Sequence, residues 1–120
     1  MSLKNTGEIG EDVAVKYAKQ QGWKILARNF RKPWGEIDIV ARDKKKIIFI
    51  EVKAMAAPVK EVFRPEVHFN PAKKQKLIRT CHSYLLENKY NEDTEYRIDL
   101  AAVEIDKNTK NARVRYYKNV

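Results

Sequence analysis

The chain has 120 residues and a formal charge of +9, from 25 basic and 16 acidic side chains. That length suggests one domain over residues 1–120, able to bury a modest core without staples, and a hydrophobic content of 43% excludes a disordered chain. No apolar run is long enough to span a membrane, and a lone cysteine, Cys81, excludes an intramolecular disulfide and zinc sites built from several cysteines.

The first residues, Met1 to Asn5, lack the apolar stretch of a secretory leader. With the lone cysteine this makes a reducing, cytoplasmic setting the expectation. The basic excess points to an anionic partner, and nucleic acid is favoured over a membrane surface because no basic amphipathic helix with bulky aromatics stands out.

Asn5 followed by Glu8 reads as a capping box, which predicts a helix from Thr6 to Gln21 closed by Gly22. Its expected apolar stripe is Ile9, Val13 and Tyr17, flanked by Ala14 and Ala18, with Glu11 at the stripe's edge. Trp23 to Phe30 reads as a first strand. Gly35 to Ala41 and Ile47 to Lys53 alternate with period two and are rich in Ile and Val, as paired strands are. A tight turn centred between Lys44 and Lys45 would oppose residues whose numbers sum to 89. Ile37, Ile39, Ala41, Ile48, Ile50 and Val52 would then share one apolar face.

The other face would set Asp38 opposite Glu51 and Glu36 opposite Lys53. A slip of one residue would mix the faces and is disfavoured, whereas a slip of two would preserve them. Cross-strand partners have Cβ atoms roughly 5 Å apart, and like charges there are destabilising. Facing carboxylates beside a lysine have a natural reason in a hard divalent cation, which takes one or two carboxylates plus waters and a substrate phosphate. The plainer alternative is the solvated side of a half-exposed strand.

Residues 54–69 hold two prolines and no clean period, a long connection of the kind that is often functional or mobile. Asn70-Pro71 is a strong helix start, and the second helix is expected to run to Asn88 with Leu77, Ile78, Cys81, Tyr84 and Leu85 inward. Lys73, Lys74, Lys76 and Arg79 crowd its first half, against the helix dipole; a phosphate bound there would remove the conflict. Tyr96 to Ile105 and Ala112 to Tyr117 read as the last strands. The order α-β-β-β-α-β-β describes one α/β domain with a mixed sheet. Trp34 could stack on a base or pack as a loop aromatic, and Asp99 is expected to fix a strand end or pair with a basic side chain.

Glu11 on the first helix, Asp38, and Glu51-x-Lys53 resemble the PD-(D/E)XK nuclease superfamily. Gly7, Glu11 and Ala14, Asn29, the Gly35-Glu36-Ile37-Asp38 and Phe49-Ile50-Glu51-Val52-Lys53 blocks, Lys73 with Leu77, and Arg97-Ile98-Asp99 resemble its YraN-like family. The resemblance runs from about Gly7 to Ile105. It implies a restriction-endonuclease-like α-β-β-β-α-β core with a mixed central sheet flanked by helices, similar to archaeal Holliday-junction resolvases, and metal-dependent cleavage of DNA, branched or otherwise structured. In the family it resembles the lysine is usually followed by a small residue and then arginine; here Ala54 is followed by Met55, and Arg64 is the candidate replacement.

On this reading Asp38 and Glu51 bind Mg²⁺ or Mn²⁺, with the Val52 carbonyl a third ligand as in the superfamily. Lys53 orients the attacking water or stabilises charge on the phosphate, and Glu11 completes the catalytic set from an outer position. Lys73, Lys74 and Lys76, with Glu36, form the expected nucleic-acid contact. Action on a symmetric junction would need a homodimer, for which the Arg113 to Tyr117 strand is the candidate edge. The alternative is a nucleic-acid-binding module that keeps the nuclease fold without useful catalysis.

Overall fold

The computed structural model describes residues 4–58 and 64–120. Helix α1 spans Thr6–Gln20, strands β1, β2 and β3 span Lys24–Lys32, Gly35–Asp43 and Lys46–Ala56, and a four-residue turn of helix, α2, spans Pro65–His68. Helix α3 covers Pro71–Glu87, and strands β4 and β5 cover Tyr96–Ile105 and Ala112–Tyr117. The strands form one sheet in the order β1-β2-β3-β4-β5. Only β3 and β4 run parallel; the other neighbours are antiparallel, so the sheet is mixed.

The two long helices begin where their caps dictate. The Asn5 side chain accepts from the Glu8 amide at 2.8 Å, and that of Asn70 accepts from the Lys73 amide at 2.9 Å. Past Gln21, Gly22 takes φ of +87°, the left-handed step that ends α1. The β2–β3 hairpin turns through Lys44 and Lys45, with Asp43 paired to Lys46, and its register keeps the sum of 89 up to Ile39 and Ile50.

Apolar layers cover both sides of the sheet. Ala14, Ala18 and Trp23 pack on Ile39, Ala41, Ile48 and Ile50. Leu77, Cys81 and Tyr84 of α3 pack on Val40, Ile47, Phe49, Ile98 and Leu100. This double cover, typical where parallel strands sit at the sheet centre, departs from the single apolar face expected of the hairpin. Ile37 also leaves that face, since it joins the α3-side cluster with Val40, so the strict alternation of β2 breaks between them.

Helix α1 turns differently from expectation. Its buried residues are Gly10, Ala14 and Ala18, while Ile9, Val13 and Tyr17 lie at the flanks. The reason is close approach: a Cβ on Gly10 would meet the Ala54 Cβ at 2.6 Å. Strand β3 runs three residues beyond its expected end at Lys53, and the expected loop is shortened further by α2; residues 59–63 of that loop lie outside the described residues. In α3, Thr80 joins Leu77, Cys81 and Tyr84 in the buried set, its hydroxyl bonded to the Lys76 carbonyl at 2.9 Å. A Cβ on Gly35 would come within 2.5 Å of the Thr80 Oγ1, so the β1–β2 turn is seated directly on α3.

Candidate active site

The hairpin ladder ends at Ile39 and Ile50, one pair before the acidic residues. Past that pair β3 continues beside β4, with Glu51 in register with Leu100 and Lys53 with Ala102, while β2 continues beside β1, with Ile37 opposite Phe30. The two strands therefore fork, and Asp38 and Glu51 stand at the crotch. They are not a ladder pair, as the sequence suggested, and neither are Glu36 and Lys53. The fork leaves the Val52 amide without a strand partner, and Asp38 Oδ2 accepts it at 2.7 Å. A side chain thus replaces a rung, meeting the requirement that a buried N–H be paired.

Both carboxyls are mostly buried and hold protons more tightly than usual. Desolvation is the largest cause for Asp38, raising its pKa to about 6; the Val52 amide opposes that shift, and the negative charges of Glu36 and Glu11 add to it. Glu51 rises to about 7, again first by desolvation and then by Asp38, with Lys73 pulling the other way. Two acids that repel each other in a desolvated crotch are electrostatically incomplete, and shifts of this kind cluster at functional sites.

The groove on the α1 side of the fork has a volume of about 380 Å³ and is lined by Glu11, Glu36, Asp38 and Val52 among others. Glu11 is fixed there by the Arg28 Nε at 2.9 Å and the Asn29 side-chain Nδ2 at 3.1 Å. Asn29 adopts φ of +54°, a left-handed conformation that asparagine tolerates better than most residues. Glu36 is exposed and pairs with Arg31 at 3.1 Å. It belongs to the acidic wall of the groove, where its charge would repel a phosphate.

On the α3 side, His68 Nε2 lies 4.0 Å from Glu51 Oε1 and 3.0 Å from Lys73 Nζ. Burial first, then the charges of Lys73 and Lys53, hold His68 below the ordinary histidine range. Its contact with Glu51 is therefore not an ion pair at neutral pH. Lys53 is exposed, as is Lys76, and Lys74 is half-buried. The structure thus brings Asp38, Glu51, Glu11, Glu36, Val52 and Lys73 around one fork, with Lys74 and Lys76 farther along α3. Sequence reasoning treats His68 as a loop residue with only a minor case for a metal or phosphate role, and passes over Arg28. His68 sits in an aperiodic connection, where spacing carries no signal, and Arg28 was one basic residue among many.

The remaining expectations concern structure. The Arg79 guanidinium lies 4.4 Å over the Trp34 ring, so that face is already covered. Asp99 is fully buried and accepts from Arg97 Nε at 3.0 Å, the Tyr116 hydroxyl at 2.6 Å and the Asn119 amide at 2.9 Å, which fixes the C-terminal end of the chain to β4. Buried Cys81 has its thiol pushed far up by desolvation, as befits a core residue.

The oxygen donors at the fork suit a hard divalent cation that keeps several waters: two carboxylates and the adjacent Val52 carbonyl, with one oxygen of Asp38 engaged by the backbone. Among the described residues no group of three or more His, Cys, Asp or Glu side chains forms a metal cage. A site completed by water and substrate is consistent with that limited donor set. No helix among the described residues is long and apolar enough to cross a membrane.

The mixed five-stranded sheet flanked by helices is an α/β fold compatible with a restriction-endonuclease-like core. The chain belongs to the uncharacterised protein family UPF0102, whose model matches residues 10–103, the YraN-like group of the PD-(D/E)XK superfamily. It is similar to a UPF0102 protein of Synechococcus sp. (strain JA-3-3Ab), 37% identical over 86% of this chain and 77% of that one. A UPF0102 protein of Clostridium botulinum (strain 657 / Type Ba4) is 34% identical over 97% of this chain and 93% of its own length. One from Fervidobacterium nodosum is 36% identical over 98% of this chain and 82% of its own.

Proposed function

We propose that this protein is a metal-dependent endonuclease that hydrolyses phosphodiester bonds in DNA, with branched or otherwise structured DNA as its substrate. The observation that carries the reading is the strand fork, which holds two desolvated, mutually repelling carboxyls, with the Lys73 charge acting on Glu51, on a chain of net charge +9. Asp38 and Glu51 would hold Mg²⁺ or Mn²⁺, with Val52 contributing its carbonyl. The bound ion would supply Lewis acidity and activate water. Lys53 orients the attacking water and stabilises the charge gathering on the phosphate. Glu11, held by Arg28 and Asn29, shapes the acidic side of the groove. Lys73, Lys74 and Lys76 attract the phosphate backbone, which adds affinity without reading sequence.

A second reading, a DNA-binding module without useful catalysis, is favoured by Met55, which follows Ala54 where the resemblance to the YraN-like family leads to an expected arginine. One experiment separates the two. Labelled four-way-junction, flap, duplex and single-stranded DNA are incubated with Mg²⁺ or Mn²⁺ at low salt, with Asp38→Ala as the control. The nuclease reading expects metal-dependent cleavage of at least one substrate, lost in the variant. Retarded but uncut DNA would replace it with the binding module.

A further inference from the structure

Lys73 is restrained along its whole length. Its amide donates to the Asn70 side chain at 2.9 Å, its Nζ lies 5.9 Å from the centre of the Phe69 ring, and that Nζ reaches His68 Nε2 at 3.0 Å. The His68 ring is itself set edge-on to Phe69, with centroids 5.0 Å apart, and Phe69 is buried. An ammonium has donors and no acceptor, so Nε2 must accept from Lys73 and the ring proton must sit on Nδ1. The same Nε2 lies 4.0 Å from Glu51 Oε1, which places the lysine charge beside the fork. Lysine otherwise carries its charge on a flexible four-carbon stem that loses rotamer freedom when it is ordered. Ordering it in advance is useful only where a charge must meet a partner in a fixed place.

We infer that His68 is a positioning residue: it aims the Lys73 ammonium at the space beside Glu51, where Lys73 receives a non-bridging oxygen of the phosphodiester being cleaved. The inference rests on the nuclease reading and deepens it. In hydrolysis the attacking water oxygen bonds to phosphorus, the P–O bond to the leaving oxygen breaks, and the water's protons pass to solvent and to that oxygen. Negative charge accumulates on the non-bridging oxygens meanwhile, and a donor already in place stabilises it without reorganisation. A free lysine would have to be ordered during the reaction. Lys73 thereby differs from Lys74 and Lys76, whose role is attraction of the DNA backbone.

The test uses the full chain and four variants: His68→Leu, His68→Gln, Lys73→Met and the His68→Leu/Lys73→Met double. The readouts are single-turnover cleavage rates in Mg²⁺ and the imidazole ¹⁵N resonances of metal-free protein. Lys73→Met is expected to slow cleavage about 100-fold, and His68→Leu by a similar factor. The double variant should be no slower than the slower single one, because the two residues act as a unit. His68→Gln, whose amide oxygen can accept from Lys73, should recover most of the rate. In the wild type Nε2 should resonate as the unprotonated nitrogen, and Lys73→Met should remove that preference. Multiplicative losses in the double variant, or equal losses in the Gln and Leu variants, would overturn the positioning role. An Nε2 signal indifferent to Lys73→Met would overturn the contact itself. A wild type that cuts no DNA while its Nε2 signal still responds would overturn the nuclease reading and the phosphodiester role, and leave the contact standing.

Discussion

Asp38 serves the fold and the site at once, and the two roles can be separated by substitution. Its Oδ2 replaces a missing rung for the Val52 amide, while its charge is unfavourable next to Glu51, Glu36 and Glu11. Asp38→Asn keeps an acceptor and loses the charge; Asp38→Ala loses both. On the proposed nuclease reading both variants should be inactive, but the Asn variant should be the more stable by about 1–3 kcal/mol, the cost of leaving a buried amide unsatisfied. Denaturant melts of the metal-free proteins check this. The pH dependence follows from the raised values of about 6 and about 7, against ordinary values of 3.8 and 4.5. Between these limits the folded state binds more protons than the unfolded one, so the stability these groups contribute is fully present below about pH 4 and lost as pH rises through 7. Glu51→Gln should therefore stabilise metal-free protein at pH 8, by an amount on the order of 2 kcal/mol, and make little difference at pH 4. If the fork holds Mg²⁺ as proposed, millimolar Mg²⁺ should narrow the gap at pH 8 by stabilising only the wild type. The strands that carry Asp38, Glu51 and Lys53 were legible from period-two alternation and one turn, whereas their expected facing pairs were not formed, because the ladder ends at Ile39 and Ile50. His68 was not legible, because its position depends on where a connection of low periodicity folds back.

The packing of α1 shows how secondary structure can be legible while its orientation is not. The cap at Asn5 and the stop at Gly22 mark both ends of the helix in sequence. The buried face was misjudged because Gly10, Ala14 and Ala18 carry little hydrophobic signal compared with Ile9, Val13 and Tyr17. Proximity decides the matter: small residues let the helix axis approach β3 at Ala54. Gly10→Ala should cost about 1–3 kcal/mol, since the contact lies between a helix and a sheet that cannot both retreat; a fall in the denaturation midpoint at constant slope would show it. Similarly, periodicity extends through Lys53, so nothing in the sequence marks Ile39 and Ile50 as the last rung. The fork arises because β2 follows β1 while β3 follows β4, a tertiary outcome of which strand each keeps as neighbour. At the other helix, Asn70→Ala should cost about 1 kcal/mol as a lost cap.

At the scale of the molecule, charge and topology point the same way. The outermost strands, β1 and β5, carry exposed Lys24, Arg28 and Arg31 on one edge and Arg113 and Arg115 on the other. Charged edges discourage sheet-to-sheet association between chains and add to a field that attracts polyanions. If DNA is held as proposed, log affinity should fall linearly with log salt. Lys74→Ala and Lys76→Ala should each reduce that slope by about 1, with similar effects on every DNA sequence tested, as read by fluorescence anisotropy across a salt series. The α/β class, the mixed sheet, the last two strands and the inward stripe of α3 were legible from composition and alternation; that Val40, Ile47 and Phe49 are the sheet residues beneath α3 is shown only by the packing.

The side-chain rung at Val52 has a consequence for exchange with solvent. Every amide deeper in the hairpin is shielded by backbone that opens only when strands part, whereas this one is shielded by a carboxyl that can swing away by itself. Deuterium should therefore enter at Val52 sooner than at Ile48 or Ile50. Its rate should respond to whatever else engages Asp38, so a single backbone proton becomes a gauge of occupancy at the fork, readable without any substrate being turned over.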